Sequence, residues 1–181
     1  WIHELSGADI SELEDGLATA RSSGVEPIGF TRESFPLPTF GAKIERILYE
    51  VQNGRGFAIF RGLPVERYER ADLEMIYWGI GAYMGQVISQ NAIGNLIAEV
   101  TDKGASYDNA VNDRGYMSKD KLNPHVDTSD MTALLCLRTA GTGGVSSLTS
   151  SAAVYNEILS RRPDLLEVYY RGFHHDLRGE G

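Results

Sequence analysis

Two residues that can bind a metal ion, His125 and Asp127, are separated only by Val126. In an extended strand, the side chains of residues i and i+2 point to the same side. This spacing would therefore place an imidazole and a carboxylate beside each other, and both groups are common ligands of divalent cations. Pro124 restricts the backbone immediately before His125. The segment predicts two ligands of one metal ion.

The third ligand of such a site is not evident. Two histidines and one carboxylate on one face of the metal form the ligand set of non-heme Fe(II) oxygenases, and His125 with Asp127 would fill two of its three places. The chain has four histidines. His174 and His175 are adjacent, and neighbours on a strand point to opposite faces, so at most one of them could join His125. His3 is expected to have no role in metal binding. The alternative reading is a hydrogen-bonded structural His–Asp pair.

The composition is that of an ordinary globular protein. The chain has 181 residues, 42% of them hydrophobic and 23% charged, which is enough for one domain with a real core. Its net charge of −8 disfavours nucleic acid and anionic membrane surfaces as partners. No apolar stretch approaches the length of a membrane span. We therefore expect a cytoplasmic protein with a small-molecule substrate, and the sequence leaves a homo-oligomer possible. The single cysteine, Cys136, is expected to be a buried thiol.

Helical periodicity marks the N-terminal part of the chain. Ser11 and Glu14 form a capping-box pattern, and apolar residues at helical spacing follow as far as Ala20. Further helices are predicted at residues 40–53 and 69–84, from near Ser151, and at 164–169 after Pro163.

Short apolar or alternating runs predict strands in the remainder. They lie at residues 57–60, 86–90, 96–100 and 131–137, with a polar loop at 101–120. The run at 131–137 has little polarity, so both of its faces should be covered. Helices followed by strands indicate an α+β domain. We expect a single domain over 1–181, with an N-terminal helix and loop at 1–40 and a catalytic core portion, a β-barrel or jelly roll, at 41–181.

An ordered set of motifs resembles the taurine dioxygenase/TfdA-like family of Fe(II)- and 2-oxoglutarate-dependent oxygenases. Its segments are 54–64 (GRGFAIFRGLP), 81–85 (GAYMG), 89–91 (SQN), 122–127 (LNPHVD), 134–138 (LLCLR) and 143–146 (GGVS). Each segment is modestly specific, whereas their order is strongly so. The resemblance implies a double-stranded β-helix, a jelly-roll or cupin-like core, flanked by N-terminal helices.

The resemblance also implies roles for particular residues. His125 and Asp127 would be two of the three Fe(II) ligands, and Ser146 would help to hold the carboxylate of the cosubstrate 2-oxoglutarate. Gln90 and Asn91 fall near positions that line the substrate pocket in relatives, and Tyr116 on the polar loop could also contact substrate. Halogenating relatives typically lack the carboxylate ligand, so the presence of Asp127 favours hydroxylation or a related oxidation with O2.

The family's distal histidine ligand and its 2-oxoglutarate-binding arginine come from a later strand. No matching segment precedes Gly181, so neither residue is found in this chain, and we expect that its C-terminal part is missing. Two alternatives remain open. One is a cupin-like metalloenzyme that uses zinc or manganese without 2-oxoglutarate, and the other is a non-catalytic barrel that acts as a binding module.

Overall fold

The computed structural model of the chain describes residues 1–90, 94–104, 115–127 and 129–174. It forms two compact units. The first unit comprises Trp1–Gln86 with Leu135–Leu166, and the second comprises Val87–Leu134 with Glu167–Gly181. The sequence-based expectation of a single domain over 1–181 stays a prediction.

Helices account for most of the regular structure. They are α1 (Gly7–Ser23), α2 (Phe40–Asn53), α3 (Arg70–Gly81), α4 (Ser151–Arg161) and α5 (Leu166–Arg171), and a 3-10 turn at Pro163–Leu165 precedes α5. The predicted bounds of α2 and the predicted start of α4 are confirmed, and α3 is shorter than its apolar pattern indicated. Among the described residues, no helix combines the length and the hydrophobicity that a membrane-spanning segment needs.

Helix α1 begins earlier than predicted, with its N-cap at Ser6 and not at Ser11. Ser6 is the N-cap, and its hydroxyl accepts a hydrogen bond from the backbone N–H of Asp9 at 3.2 Å. The Asp9 carboxylate in turn accepts from the backbone N–H of Ser6 at 2.8 Å, which completes a capping box. The pattern of serine and acid three residues apart therefore occurs twice. The earlier copy forms the cap because Asp9 also receives a hydrogen bond from Lys43 on α2, at 2.8 Å.

The strand predicted near residues 57–60 exists, and it pairs with a strand that the sequence did not reveal. Strand β1 (Ile2–Glu4) runs parallel to strand β2 (Ile59–Arg61), with His3 opposite Phe60. Backbone hydrogen bonds from Ile59 to Trp1 and from Leu5 to Arg61, both 2.8 Å, extend the pairing. Three residues are too few for a periodic pattern to be recognised, which is why β1 was missed.

The core of the first unit is built around Phe35, which is fully buried. A Cβ atom at Gly16 on α1 would lie 2.7 Å from the Phe35 ring, and a Cβ at Gly79 on α3 would lie 2.4 Å from it. Real Cβ atoms essentially never approach so closely. The ring is therefore accommodated only because both helices present a glycine, and these glycines let α1 and α3 pack together.

A tyrosine fixes the segment that carries Phe35. The hydroxyl of Tyr83 accepts a hydrogen bond from the backbone N–H of Leu37 at 2.7 Å and lies 3.2 Å from the carbonyl oxygen of Phe35, to which it can donate. Its ring packs against Gly41 of α2, where a Cβ atom would be 2.4 Å away. One side chain thus satisfies two backbone groups of a segment that lacks regular structure.

The predicted strands at 86–90, 96–100 and 131–137 are not strands among the described residues. Two backbone hydrogen bonds in the second unit, from Thr101 to Tyr116 at 3.1 Å and from Lys103 to Met117 at 2.8 Å, join residues 101–103 to the 3-10 turn Gly115–Met117. The described part of the chain contains the β1–β2 sheet and no jelly roll. The jelly roll therefore stays a prediction. The three predicted segments do not form strands because a strand needs a neighbouring strand that pairs with its N–H and C=O groups. Apolar composition alone does not supply such a partner.

The expected burial of residues 131–137 is also wrong for this structure. Leu134 is 79% exposed, and Cys136, expected to be a buried thiol, is exposed as well. The Cys136 Sγ lies 3.5 Å from the carbonyl oxygen of Arg138, a contact within the same segment. A continuous apolar run predicts burial only where a second layer of structure covers it.

We expect Gly79→Ala to lower the free energy of unfolding by about 1–3 kcal/mol, because the added methyl group overlaps the ring of Phe35. In an unobstructed helix the same change would stabilise by roughly 0.5–1 kcal/mol. Gly81→Ala is the matched control, since nothing lies within 4 Å of a Cβ at that end of the same helix. Denaturant unfolding of both variants measures the difference. Equal stabilities would contradict the packing role of Gly79.

The Asp9 cap predicts a pH-dependent stability. Burial alone would raise the pKa of Asp9, but hydrogen bonds from Lys43 and from the Ser6 backbone and hydroxyl outweigh it, and the pKa lies below its ordinary value. A lowered pKa in the folded state contributes stability above the unfolded-state pKa, and this contribution is lost as the pH falls through the folded-state value. Asp9→Asn should therefore cost about 1–3 kcal/mol at pH 7 and progressively less below about pH 4.

Chemical denaturation between pH 7 and pH 2 measures this difference. Asp15→Asn is the control, because Asp15 is an exposed carboxylate on the same helix. A destabilisation by Asp9→Asn that is the same at pH 7 and at pH 2 would contradict the assigned role of the Asp9 charge.

Candidate functional site

The Asp127 carboxylate has one oxygen engaged and one available. The hydroxyl of Thr132 donates a hydrogen bond to Asp127 Oδ2 at 2.9 Å. Both side chains are exposed, and no other hydrogen bond to this carboxylate is formed by the described residues. A carboxylate offers two acceptor oxygens, so Oδ1 keeps its lone pairs for another partner.

His125 is held by a contact within its own segment. Its Nδ1 lies 2.7 Å from the carbonyl oxygen of Asn123. A carbonyl oxygen can only accept, so in this contact Nδ1 carries the hydrogen. In the neutral ring Nε2 then presents its lone pair, and the His125 side chain is exposed. This is the tautomer in which Nε2 can bind a metal ion.

His125 and Asp127 thus each expose one donor atom in the second unit, and the segment that carries them is not a regular strand. The described residues contain no group of three or more His, Cys, Asp or Glu side chains placed to hold a metal ion. His174 is exposed, and His175 lies outside the described residues. A third ligand for this site stays a prediction.

The other predicted site residue with a defined place is Ser146, which is exposed. It follows Gly143 and Gly144, whose φ angles of 74° and 68° lie in the left-handed region. Glycine tolerates this region, and it turns the chain just before the serine. Ser146 belongs to the first unit, whereas His125 and Asp127 belong to the second.

The residues proposed to contact substrate are only partly described. Gln90 forms local hydrogen bonds, from Nε2 to the Ile88 carbonyl at 3.0 Å and from its backbone N–H to Asn95 at 2.6 Å. Tyr116 is half-buried and accepts a backbone hydrogen bond from Thr101. Asn91 lies outside the described residues. Substrate contact by Gln90, Asn91 and Tyr116 stays a prediction.

Two open clefts in the first unit contain none of the predicted site residues. The larger has a volume of about 580 Å³, and it is lined by Trp1, His3, Tyr49, Glu50, Asn53, Gly54, Arg55, Phe57 and Ala58. The smaller, of about 470 Å³, lies between residues 54–57 and the start of α4. The candidate site rests on the donor chemistry of His125 and Asp127 and not on a cavity.

Sequence reasoning missed two groups at this site, the Thr132 hydroxyl and the Asn123 carbonyl. A backbone carbonyl has no sequence signature. A threonine five residues after the aspartate is a common occurrence, and only the structure shows that its hydroxyl reaches the carboxylate. The sequence offers one indication of the Asn123 contact, which is Pro124, since a proline restricts the backbone of the residue before it.

Comparison with known proteins gives a family match that includes the candidate site residues. The family model described as "Taurine catabolism dioxygenase TauD, TfdA family" matches residues 21–178, which include His125, Asp127 and Ser146. FR-33289 synthase from Streptomyces rubellomurinus (strain ATCC 31215) is 29% identical over 180 residues, covering 99% of this chain and 53% of that protein.

A second relative is similar over most of the chain. The taurine hydroxylase-like protein SAT17 from Stachybotrys chartarum (strain CBS 109288 / IBT 7711) is 31% identical over 170 residues, covering 91% of this chain and 44% of that protein. The chain spans about half the length of these curated relatives. On the match over residues 21–178, the chain belongs to the TauD/TfdA family.

Proposed function

We propose that the protein acts as an Fe(II)- and 2-oxoglutarate-dependent dioxygenase that hydroxylates or otherwise oxidises a small organic substrate. The observation that carries this proposal is the family match over residues 21–178, within which His125 and Asp127 each expose a free donor atom. Membership of the family supports an oxygenase role in general. The dependence on iron and 2-oxoglutarate and the choice of substrate belong to the proposal.

The donor atoms fit the proposed metal. A neutral imidazole with Nε2 free and a carboxylate with Oδ1 free are two members of the ligand set of two histidines and one carboxylate used by non-heme Fe(II) oxygenases. His125 Nε2 and Asp127 Oδ1 would hold the ion, and the carboxylate would bring one negative charge to it. Bound Fe(II), with O2 and 2-oxoglutarate, would supply the oxidative decarboxylation that yields succinate and carbon dioxide and the coupled oxidation of the substrate.

Ser146 would bind the cosubstrate rather than the metal. Its hydroxyl is a hydrogen-bond donor suited to a carboxylate, and its side chain is exposed after the Gly143–Gly144 turn. Gln90, Asn91 and Tyr116 would orient the substrate with amide and phenol groups, which favours a polar small molecule. The net charge of −8 is consistent with a small molecule and not a nucleic acid as the partner.

Succinate release tests the proposal directly. The full-length protein supplied anaerobically with Fe(II) and then with 2-oxoglutarate and air should form succinate, alone or with a panel of small polar substrates that includes taurine. His125→Ala and Asp127→Ala should each lower the rate by at least about 100-fold, because each removes a metal ligand. Asp130→Asn is the matched control, an exposed carboxylate three residues away. Absence of succinate under every condition would refute the proposal.

The role of Ser146 has its own test. Ser146→Ala should raise the concentration of 2-oxoglutarate needed for half-maximal succinate formation by about 10-fold, which corresponds to about 1.4 kcal/mol of lost binding. Ser147→Ala, the neighbouring serine, should leave it unchanged. An anaerobic titration that follows the visible spectrum of the Fe(II) protein measures the same binding. No spectral response to 2-oxoglutarate would favour a metalloenzyme that does not use this cosubstrate.

A further inference from the structure

We propose that Thr132 is a positioning residue for the metal ligand Asp127. This inference rests on the proposed function and adds a residue to it. The Thr132 hydroxyl donates to Asp127 Oδ2 at 2.9 Å, so that the carboxylate is held by one oxygen and offers the other. A carboxylate fixed in this way presents Oδ1 to a cation as a single ligand atom, and side chains that orient metal ligands raise the affinity of the site.

The donors and acceptors of this segment determine the direction of the hydrogen bond between Thr132 and Asp127. Each hydroxyl has one hydrogen to donate, and an ionised carboxylate can only accept, so the Thr132 hydrogen is committed to Asp127. Ser129 donates its own hydrogen to the Met131 carbonyl at 3.1 Å and lies 3.4 Å from the Thr132 oxygen. The Ser129 hydroxyl is therefore one step removed from the carboxylate and serves as a natural control.

Threonine suits this task better than serine in one respect. Its branched Cβ restricts χ1, so the side chain loses less conformational entropy when the hydroxyl binds the carboxylate. The bond is formed between exposed side chains, where a hydrogen bond exchanges with water and contributes little to folding. A role in orienting Asp127 therefore predicts a large effect on metal affinity and a small effect on stability.

His125 is oriented by the equivalent device. The Asn123 carbonyl accepts from Nδ1 at 2.7 Å and leaves Nε2 for the metal. The two ligands thus have separate orienting partners, one a backbone carbonyl and one a hydroxyl. Only the hydroxyl can be removed by substitution, and this makes Thr132 the residue to test.

The experiment measures Co(II) binding to the full-length apoprotein, followed anaerobically by the visible absorption of the bound ion. Thr132→Val keeps the shape of the side chain and removes the hydroxyl, and it should weaken Co(II) binding about 10–100-fold. Thr132→Ser restores the donor and should recover affinity to within about 3-fold of the wild type. Ser129→Ala should bind Co(II) as the wild type does. The thermal midpoint of the Thr132→Val apoprotein should stay within about 1 °C of the wild type.

The outcomes separate this inference from the proposed function. If the wild type binds Co(II), Asp127→Ala abolishes that binding and Thr132→Val leaves it unchanged, the role of Thr132 is overturned while the metal site stands. If the affinity falls only together with a drop of several degrees in the apoprotein midpoint, Thr132 stabilises the turn, and the inference is again overturned. If the wild type binds no Co(II), or Asp127→Ala binds it normally, the proposed function fails and the inference fails with it.

Discussion

The ring of Phe35 lies against two helices at the points where each has no side chain. Gly16 on α1 and Gly79 on α3 leave the space that the ring fills, and a methyl group at either position would come within 3 Å of it. Tyr83 then satisfies the backbone around the ring by hydrogen bonding to Leu37 and Phe35. The packing of α1, α2 and α3 in the first unit depends on this contact, because it sets how closely two of the helices approach.

How far the sequence determines this structure differs between its parts. The bounds of α2 and the start of α4 could be predicted, because apolar periodicity and end signals are local. The predicted start of α1 was wrong because two serine–acid patterns compete. The pattern that forms the cap contains Asp9, which is hydrogen-bonded to Lys43, thirty-four residues away. Strand pairing was beyond reach for the same reason. The partner of β2 is the three-residue strand β1 near the start of the sequence, and no local pattern records that pairing.

The candidate site shows the same division. The types and spacing of His125 and Asp127 predict two donors, because metal ligands come from a short list of side chains, and that assignment stays a prediction. The contact of Thr132 with the Asp127 carboxylate was not predictable, since a threonine has many ordinary roles and only the 2.9 Å distance reveals this hydrogen bond. The burial expected for residues 131–137 failed for a different reason. Burial depends on which other elements cover a segment, and an apolar sequence indicates only that burial would be favourable.

The contacts that His125 and Asp127 make are both local in sequence. The Asn123 carbonyl lies two residues before His125, and the Thr132 hydroxyl lies five residues after Asp127. Pro124 confines the backbone of Asn123 to extended conformations, so the geometry that brings its carbonyl to the imidazole is partly fixed by the covalent chain. Short loops of this kind close at low entropic cost. The side chains of His125 and Asp127 are therefore each held by a contact formed within residues 123–132.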